Sequence, residues 1–194
     1  MEKVISIVGA GGKTTLVHKL AREYHRRGKG VLVTTTTHMY VEADTDLSCD
    51  FFALRDKIIK DGYCMAGQKI SEQSKPKMCG LPYDLFDRLI KDMPQALDYV
   101  IIEADGAKHH SLKYPAADEP VIYPLTTDVI IVLGTWEKGK LCKDVVFRYE
   151  LMQNELGMAE DVVVDDSVID TLRQVYVKKL RDSGFEGRIS TYCR

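Results

Sequence analysis

Seven residues near the start of the chain are of the types that bind phosphate in nucleotide-binding proteins. Residues 9–15 read GAGGKTT and directly follow the apolar run VISIV. Glycine adopts positive φ easily, so the backbone N–H groups can turn inward around an anion, and a helix beginning at Lys13 would point its positive end at the same place. The Lys13 ammonium can reach a β- or γ-phosphate, and the Thr14 hydroxyl can bind Mg²⁺. The motif predicts that Mg-ATP or Mg-GTP is bound by Gly9, Ala10, Gly11, Gly12, Lys13, Thr14 and Thr15.

The spacing of this loop is shorter than the usual consensus. The consensus is GxxxxGK[ST], and counting back from Gly12 puts Ile7 where the first glycine would stand. The loop present is GxxGKT, Gly9–Thr14, which resembles the contracted loop of the Mur-ligase group of ATP-dependent enzymes. The alternative is a glycine-rich turn with an incidental lysine, but the strand before the loop and the helix after it favour phosphate binding.

Two acids follow the apolar run YVII further along the chain. Side chains alternate along a strand, so Glu103 and Asp105 would share one face if the strand continued through them. A carboxylate at a strand end beside a phosphate loop holds Mg²⁺, directly or through water. We therefore predict Thr14, Glu103 and Asp105 as metal ligands and Lys13, Glu103 and Asp105 as catalytic residues. Which of the two acids contacts the metal is left open. The alternative that both acids merely lie at a solvated strand end is also open. Glu103 and Gly106 match the DxxG spacing of nucleotide switches, with Glu in place of Asp.

Other polar residues are candidates for substrate or switch contacts. Thr36 and Thr37 belong to the threonine run 34–37 at the end of the predicted second strand, although threonine is also common in strands for other reasons. Lys108, Lys113 and Glu119 lie in the loop after the acids, where the lysines form either a basic lip for an anion or a solvated surface. No NKxD run follows a strand, so the choice between adenine and guanine stays open.

The elements that must position these residues alternate between strands and helices. β-Branched apolar runs predict strands, and apolar residues at helical spacing predict helices. The predicted strands are 3–8, 30–35, 98–104, 128–133 and 188–193, and the predicted helices are 13–27, 83–92, 148–157 and 167–182. Residues 51–60 fit either a strand or a helix, and 71–79 and most of 108–125 are predicted loops.

This pattern predicts an α/β fold of the P-loop NTPase-like kind. Runs such as VIIVL do not alternate with polar residues, so both faces of the sheet must be covered by helices. We expect a three-layer, open, mostly parallel sheet in a single domain over 1–194, with an irregular insertion at 40–97 and a less defined C-terminal part at 158–194.

Composition and charge narrow the classes of partner. The formal net charge is −2, which does not favour nucleic acid or a membrane surface as partner. No signal peptide and no apolar run of about 18 residues is found, so we expect a cytoplasmic protein. Five cysteines form no CxxC pair, which is typical of free thiols in a reducing compartment. Cys49, Cys64 and Cys79 are equally spaced, but they lack the close pairing of metal ligands, so no structural metal is expected there.

Several segments together resemble one protein family, the selenium-dependent hydroxylase accessory proteins, also described as selenium cofactor biosynthesis proteins. The resemblance covers residues 4–157, its most specific part being EADG followed by LK and EPVI. The matching segments are GAGGKTT, VLVTTTTHM, AGQKISEQSKPKMCGL, VIIEADGAKHHSLKYPAADEPVIYP, TDVIIVLG and FRYEL. Phe147 departs from the family pattern, in which a histidine precedes Arg148.

The resemblance implies a P-loop protein that helps mature molybdenum hydroxylases carrying a selenium-containing cofactor. It implies nucleotide binding by the glycine loop, a metal or catalytic role for Glu103 and Asp105, and a second motif with Lys113, Glu119 and Pro120. One expectation is an NTP-dependent enzyme, a hydrolase or a transferase or ligase. The alternative is a non-enzymatic, nucleotide-switched chaperone or scaffold that binds a client molybdenum hydroxylase or a selenium donor protein.

Overall fold

The structure is a computed structural model that describes residues 3–70 and 76–194. Its strands are β1 Lys3–Gly9, β2 Val31–Thr35, β3 His38–Tyr40, β4 Thr45–Asp46, β5 Tyr63–Ala66, β6 Gln68–Lys69, β7 Lys77–Cys79, β8 Tyr99–Glu103, β9 Leu112–Lys113, β10 Asp128–Leu133, β11 Val146–Phe147 and β12 Arg188–Cys193. Its helices are α1 Lys13–Arg26, α2 Phe51–Asp61, α3 Tyr83–Asp92, α4 Cys142–Val145, α5 Tyr149–Leu156 and α6 Asp166–Asp182, with a 3₁₀ turn at Thr135–Glu137.

A central sheet of seven strands organises the described residues. The strand order is β12-β10-β1-β8-β2-β5-β4, and helices flank the sheet. Strands β1 and β2 are joined through α1 as predicted, but β8 lies between them, so the strand that carries Glu103 is the neighbour of the strand that ends in the glycine loop. The predicted α/β, P-loop NTPase-like fold is confirmed.

Contacts group the chain into two compact units. Unit 1 comprises Met1–Ser6, Thr14–Ala104 and Ile122–Thr127, apart from the residues outside the described ranges. Unit 2 comprises Ile7–Lys13, Asp105–Val121 and Asp128–Arg194. The prediction of a single domain over 1–194 stays a prediction.

Unit 1 contains most of the segment 40–97, and that segment is more regular than predicted. It supplies β4 and β5, which pair in parallel, and the antiparallel sheet β3-β7-β6. The open alternative at 51–60 resolves to helix α2, because Asp50 caps its first turn through Ala53 N at 2.8 Å and Gly62 ends it in the left-handed region. Strand β5 reads YCMA, which is too short and too poor in β-branched residues to be recognised from sequence.

The predicted loop at 71–79 has two outcomes. Residues 71–75 lie outside the described residues, and Lys77–Cys79 form β7 rather than loop. Its partners β3 and β6 are also only two or three residues long, so the pairing comes from tertiary contacts and not from a local pattern.

Unit 2 pairs β10 with β12 in parallel, which confirms the predicted strand at 188–193. It also contains α5 and α6, close to their predicted bounds, and the small parallel pair β9–β11, which was not predicted. Asp165 caps α6 by accepting a hydrogen bond from Val168 N at 2.9 Å. Among the described residues, no helix is long and apolar enough to cross a membrane.

Candidate functional site

The backbone of the glycine loop, in unit 2, requires glycine at two positions. Gly9, Gly11 and Gly12 have φ values of +91°, +80° and +114°. A Cβ on Gly9 would lie 2.2 Å from the carbonyl oxygen of Val132, and one on Gly11 would lie 2.5 Å from that of Ser111. Backbone contacts this close leave no room for a side chain, so the loop conformation depends on the glycines that the motif supplies.

Helix α1 begins at Lys13, directly after this loop. Lys13 is 6% exposed, and its Nζ donates a 2.8 Å hydrogen bond to the carbonyl oxygen of Gly9. The side chain therefore folds back over the loop rather than extending into solvent. Its ammonium lies at the loop whose amide groups the motif predicts to bind phosphate.

In unit 1, the first turn of α1 meets the end of β8. The exposed Thr14 donates from Oγ1 to Oε2 of Glu103 at 2.7 Å, and Glu103 is 8% exposed. A hydroxyl and a carboxylate are hard oxygen donors of the kind that Mg²⁺ prefers. This pair fits the metal predicted for the site, and the metal role of both residues stays a prediction.

The threonine run holds the end of β8 through its backbone. Thr35 Oγ1 and Thr36 N donate to the carbonyl oxygen of Glu103 at 2.6 and 3.1 Å. Thr37 N donates to Thr35 Oγ1 at 3.0 Å. Thr35 and Thr36 also line a pocket of about 170 Å³ together with Gly80, Leu81, Tyr83 and Phe86. Thr36 thus lies at a cavity, as a substrate role requires, while Thr37 is half-buried and bonded to Thr35.

Asp105, in unit 2, is surrounded by donors of this chain. Its Oδ2 accepts from Gly9 N at 3.2 Å and from the Tyr176 hydroxyl at 2.8 Å, and its Oδ1 accepts from Lys113 Nζ. The residue is 1% exposed. A carboxylate with three donors is already well satisfied, so its contacts favour positioning of Gly9 over the predicted direct role as a metal ligand.

An alternating row of charges continues from Asp105 through Lys113, Glu119 and Arg148. The Lys113 side chain is 0% exposed and bridges Asp105 and Glu119, with its Nζ 2.8 Å from Glu119 Oε2. Arg148 completes the row by pairing with both oxygens of Glu119. Burial opposes ionisation of Glu119, but the hydrogen bonds from Arg148 and Lys113 outweigh it and lower its pKa to about 2.

This burial corrects the interpretation of Lys113. Neither a basic lip nor a solvated loop describes a lysine that is enclosed between two carboxylates. The sequence could not reveal this, because both partners become neighbours only through the fold. Lys108 is exposed, which is compatible with both a basic lip and a solvated loop, and its Nζ lies 5.4 Å from the centre of the Phe147 ring. Its role as a substrate or switch contact stays a prediction.

Two residues were missed in the sequence: Arg148, which ends the row, and Tyr176, which donates to Asp105. Arg148 lies in the segment FRYEL, in which the sequence pattern singled out only Phe147. The φ of Arg148 is +65°, which places it in the left-handed region, an uncommon conformation for a non-glycine residue. Tyr176 lies in α6, where its spacing reads simply as an apolar helix face. Burial and the negative charge of Asp105 raise the pKa of Tyr176, which keeps its hydroxyl protonated as a donor.

The cysteines are free thiols throughout. In the described part of the chain, no group of three or more His, Cys, Asp or Glu side chains is arranged to hold a metal ion. The Mg²⁺ expected here needs no such group, because the phosphates and water supply most of its ligands.

Comparison with known proteins identifies the family of this chain. Residues 5–150 match the family model described as YqeC protein. The chain is 31% identical over 170 residues to a protein of Escherichia coli (strain K12) described as "Uncharacterized protein YqeC", which covers 83% of this chain and 63% of that relative. The chain therefore spans less than two thirds of that relative's length. The match of residues 5–150 takes in β1, the glycine loop, β8 and the row from Asp105 to Arg148, and by it this chain belongs to the YqeC family.

Proposed function

We propose that the chain is an Mg-nucleotide-binding P-loop protein. The observation that carries the proposal is the strand–loop–helix segment Lys3–Arg26, in which Gly9 and Gly11 have positive φ and Lys13 folds back over the loop. Backbone amides in such a loop form a concave anion site at the positive end of a helix. Thr14 and Glu103 would hold Mg²⁺, which supplies positive charge to the phosphates when bound.

The cellular role that we propose is assistance in maturing the selenium-containing cofactor of molybdenum hydroxylases. It is supported by the resemblance of EADG, LK and EPVI to the accessory proteins of that process. ATP or GTP is the expected nucleotide, and a client hydroxylase or a selenium donor protein is the expected partner.

Whether the nucleotide is turned over or only switches the protein depends on the acids. Glu103 contacts Thr14, whereas Asp105 accepts from Gly9, Lys113 and Tyr176. Because Asp105 is occupied by these donors, the Thr14 hydroxyl contacts a single carboxylate, that of Glu103. This favours one of two candidates, a nucleotide-switched chaperone or scaffold with slow hydrolysis. The other candidate is an NTP-dependent enzyme, which is supported because Lys13 and Glu103 are of the types that phosphoryl transfer uses.

One experiment tests binding and separates the two candidates. Binding of Mg-ATP and Mg-GTP is measured by calorimetry, and phosphate release is followed with and without candidate client proteins. Turnover of about 1 s⁻¹ or more supports an enzyme. A rate orders of magnitude lower that rises only with client supports a switch, and the absence of nucleotide binding refutes both.

A further inference from the structure

An arginine lies directly against the glycine loop in unit 2. A Cβ atom on Gly12 would be 3.3 Å from both Cδ and Nη1 of Arg194. Arg194 is exposed, so its guanidinium borders the loop backbone while remaining in contact with solvent. Glycine at position 12 leaves this space open.

Backbone hydrogen bonds hold Arg194 in this place. Its N donates to the carbonyl oxygen of Leu133 at 3.1 Å, so the pairing with β10 continues one residue past β12. Its carbonyl oxygen accepts from Thr135 N at 2.8 Å and from Thr135 Oγ1 at 2.7 Å. The main chain of Arg194 is thus held by hydrogen bonds directly after a paired strand.

An aromatic ring supports the guanidinium. The Cζ of Arg194 lies 5.5 Å from the centre of the Trp136 ring, within the range of a cation–π contact. Trp136 packs in turn on Gly134, where a Cβ would lie 3.1 Å from its Cη2. A Cβ on Gly11 would lie 2.8 Å from the Cα of Gly134, so the arginine and the tryptophan border the same short stretch of loop.

The charge of the expected ligand favours a further cation near the loop. A nucleoside triphosphate carries about four negative charges near neutral pH, and Lys13 with one Mg²⁺ offsets about three of them. The planar guanidinium of arginine matches phosphate oxygens with paired N–H donors. We propose that Arg194 binds a phosphate group of the nucleotide and that Trp136 holds the guanidinium in place. This inference rests on the proposed nucleotide binding.

The test compares Arg194→Ala with Lys13→Ala and with a matched control, Arg188→Ala. Arg188 is the exposed first residue of β12, at the opposite end of the strand from Arg194. The probes are Mg-ATP, Mg-GTP and Mg-bound inorganic triphosphate, with affinity measured by calorimetry. The chain contains a single tryptophan, so the fluorescence of Trp136 gives a second readout beside Arg194.

We expect Arg194→Ala to weaken binding of Mg-ATP and of triphosphate about tenfold, and Arg188→Ala to leave both unchanged. In the unaltered chain, triphosphate should also change the Trp136 fluorescence. Equal affinities for Arg194→Ala and Arg188→Ala overturn the inference, as does a loss seen with Mg-ATP but not with triphosphate. If Lys13→Ala weakens binding while Arg194→Ala leaves it unchanged, the inference fails and the proposed function stands. If the unaltered chain binds none of the probes, the proposed function fails and takes the inference with it.

Discussion

The Thr14 hydroxyl donates a 2.7 Å hydrogen bond to the carboxylate of Glu103, which joins the first turn of α1 to the end of β8. In the proposed nucleotide complex, Thr14 and Glu103 would hold Mg²⁺, which would supply positive charge to the phosphates. Substitutions of Thr14 and Glu103 should therefore affect metal-dependent steps more than they affect the affinity for nucleotide without metal.

Replacing Glu103 by Gln should lower Mg²⁺-dependent phosphate release by at least about tenfold, because the lost negative charge is needed where the metal is held. Affinity for nucleotide in the presence of EDTA should stay within about twofold, since that binding does not use the metal. Thr14→Ala should act in the same way, and Thr14→Ser, which keeps the hydroxyl, should retain release. Equal losses of affinity with and without Mg²⁺ would contradict the assignment.

Lys13→Ala should reduce the affinity for Mg-ATP about ten- to a hundredfold, as expected for loss of a charge-assisted contact worth about 1.5–3 kcal/mol. Lys19→Ala is a suitable control, because Lys19 is an exposed lysine of the same helix. Calorimetry with both variants is sufficient. If the two variants bind nucleotide equally well, the glycine loop is only a structural turn.

The buried pair of Asp105 and Lys113 should contribute to stability mainly as a pair. Each of Asp105→Asn and Lys113→Met should cost about 3–5 kcal/mol in urea unfolding, because each leaves a buried charge with an incomplete set of partners. The double variant should be less destabilised than the sum of the two, with a coupling energy of about 0.5–3 kcal/mol. Lys178→Ala, which removes an exposed ion pair with Asp182, should cost at most about 1 kcal/mol. Additive effects of the two buried substitutions would refute the coupling.

Glu119 should make the protein sensitive to acid. Its pKa in the folded chain is about 2, below the ordinary value of 4.5, so its ionised form stabilises the fold above pH 4.5. That contribution is lost as the pH falls from 4.5 towards 2, because protonation breaks the pairs with Lys113 and Arg148. Unfolding free energies measured across this range should fall less steeply for Glu119→Gln than for the unaltered chain. Parallel curves would mean that Glu119 does not control the acid response.

The cysteines should differ in their reactivity towards a thiol reagent. Cys193 is exposed, whereas burial raises the pKa of Cys64 to about 12 and that of Cys142 to about 11. The thiolate is the reactive form, so Cys193 should react first and the two buried thiols should require unfolding. Timed modification followed by peptide mass analysis checks the order. Early labelling of Cys64 would show that β5 opens readily.

Local sequence patterns were sufficient for the elements that carry the glycine loop. Strand β1, helix α1 and strand β8 each have a strong signal of their own, and the parallel sheet follows from their order. What escaped prediction depends on long-range contacts. The sequence does not show that β8 inserts between β1 and β2, because strand order is fixed by packing. Nor does it show that Lys113 is buried, because its carboxylate partners are brought to it by tertiary structure.

The hydrogen bond from Tyr176 to Asp105 limits how far the chain can be shortened from its C-terminal side. The family model ends at residue 150, yet Tyr176 and the β12 partner of β10 both lie beyond it. A fragment trimmed to the matched residues would lose one donor to the carboxylate that holds Gly9 and would leave one edge of β10 unpaired. A fragment expressed with these bounds would lack the Tyr176 hydrogen bond and the β12 pairing that support its glycine loop. The segment that the family model matches is therefore shorter than the segment that supports the glycine loop.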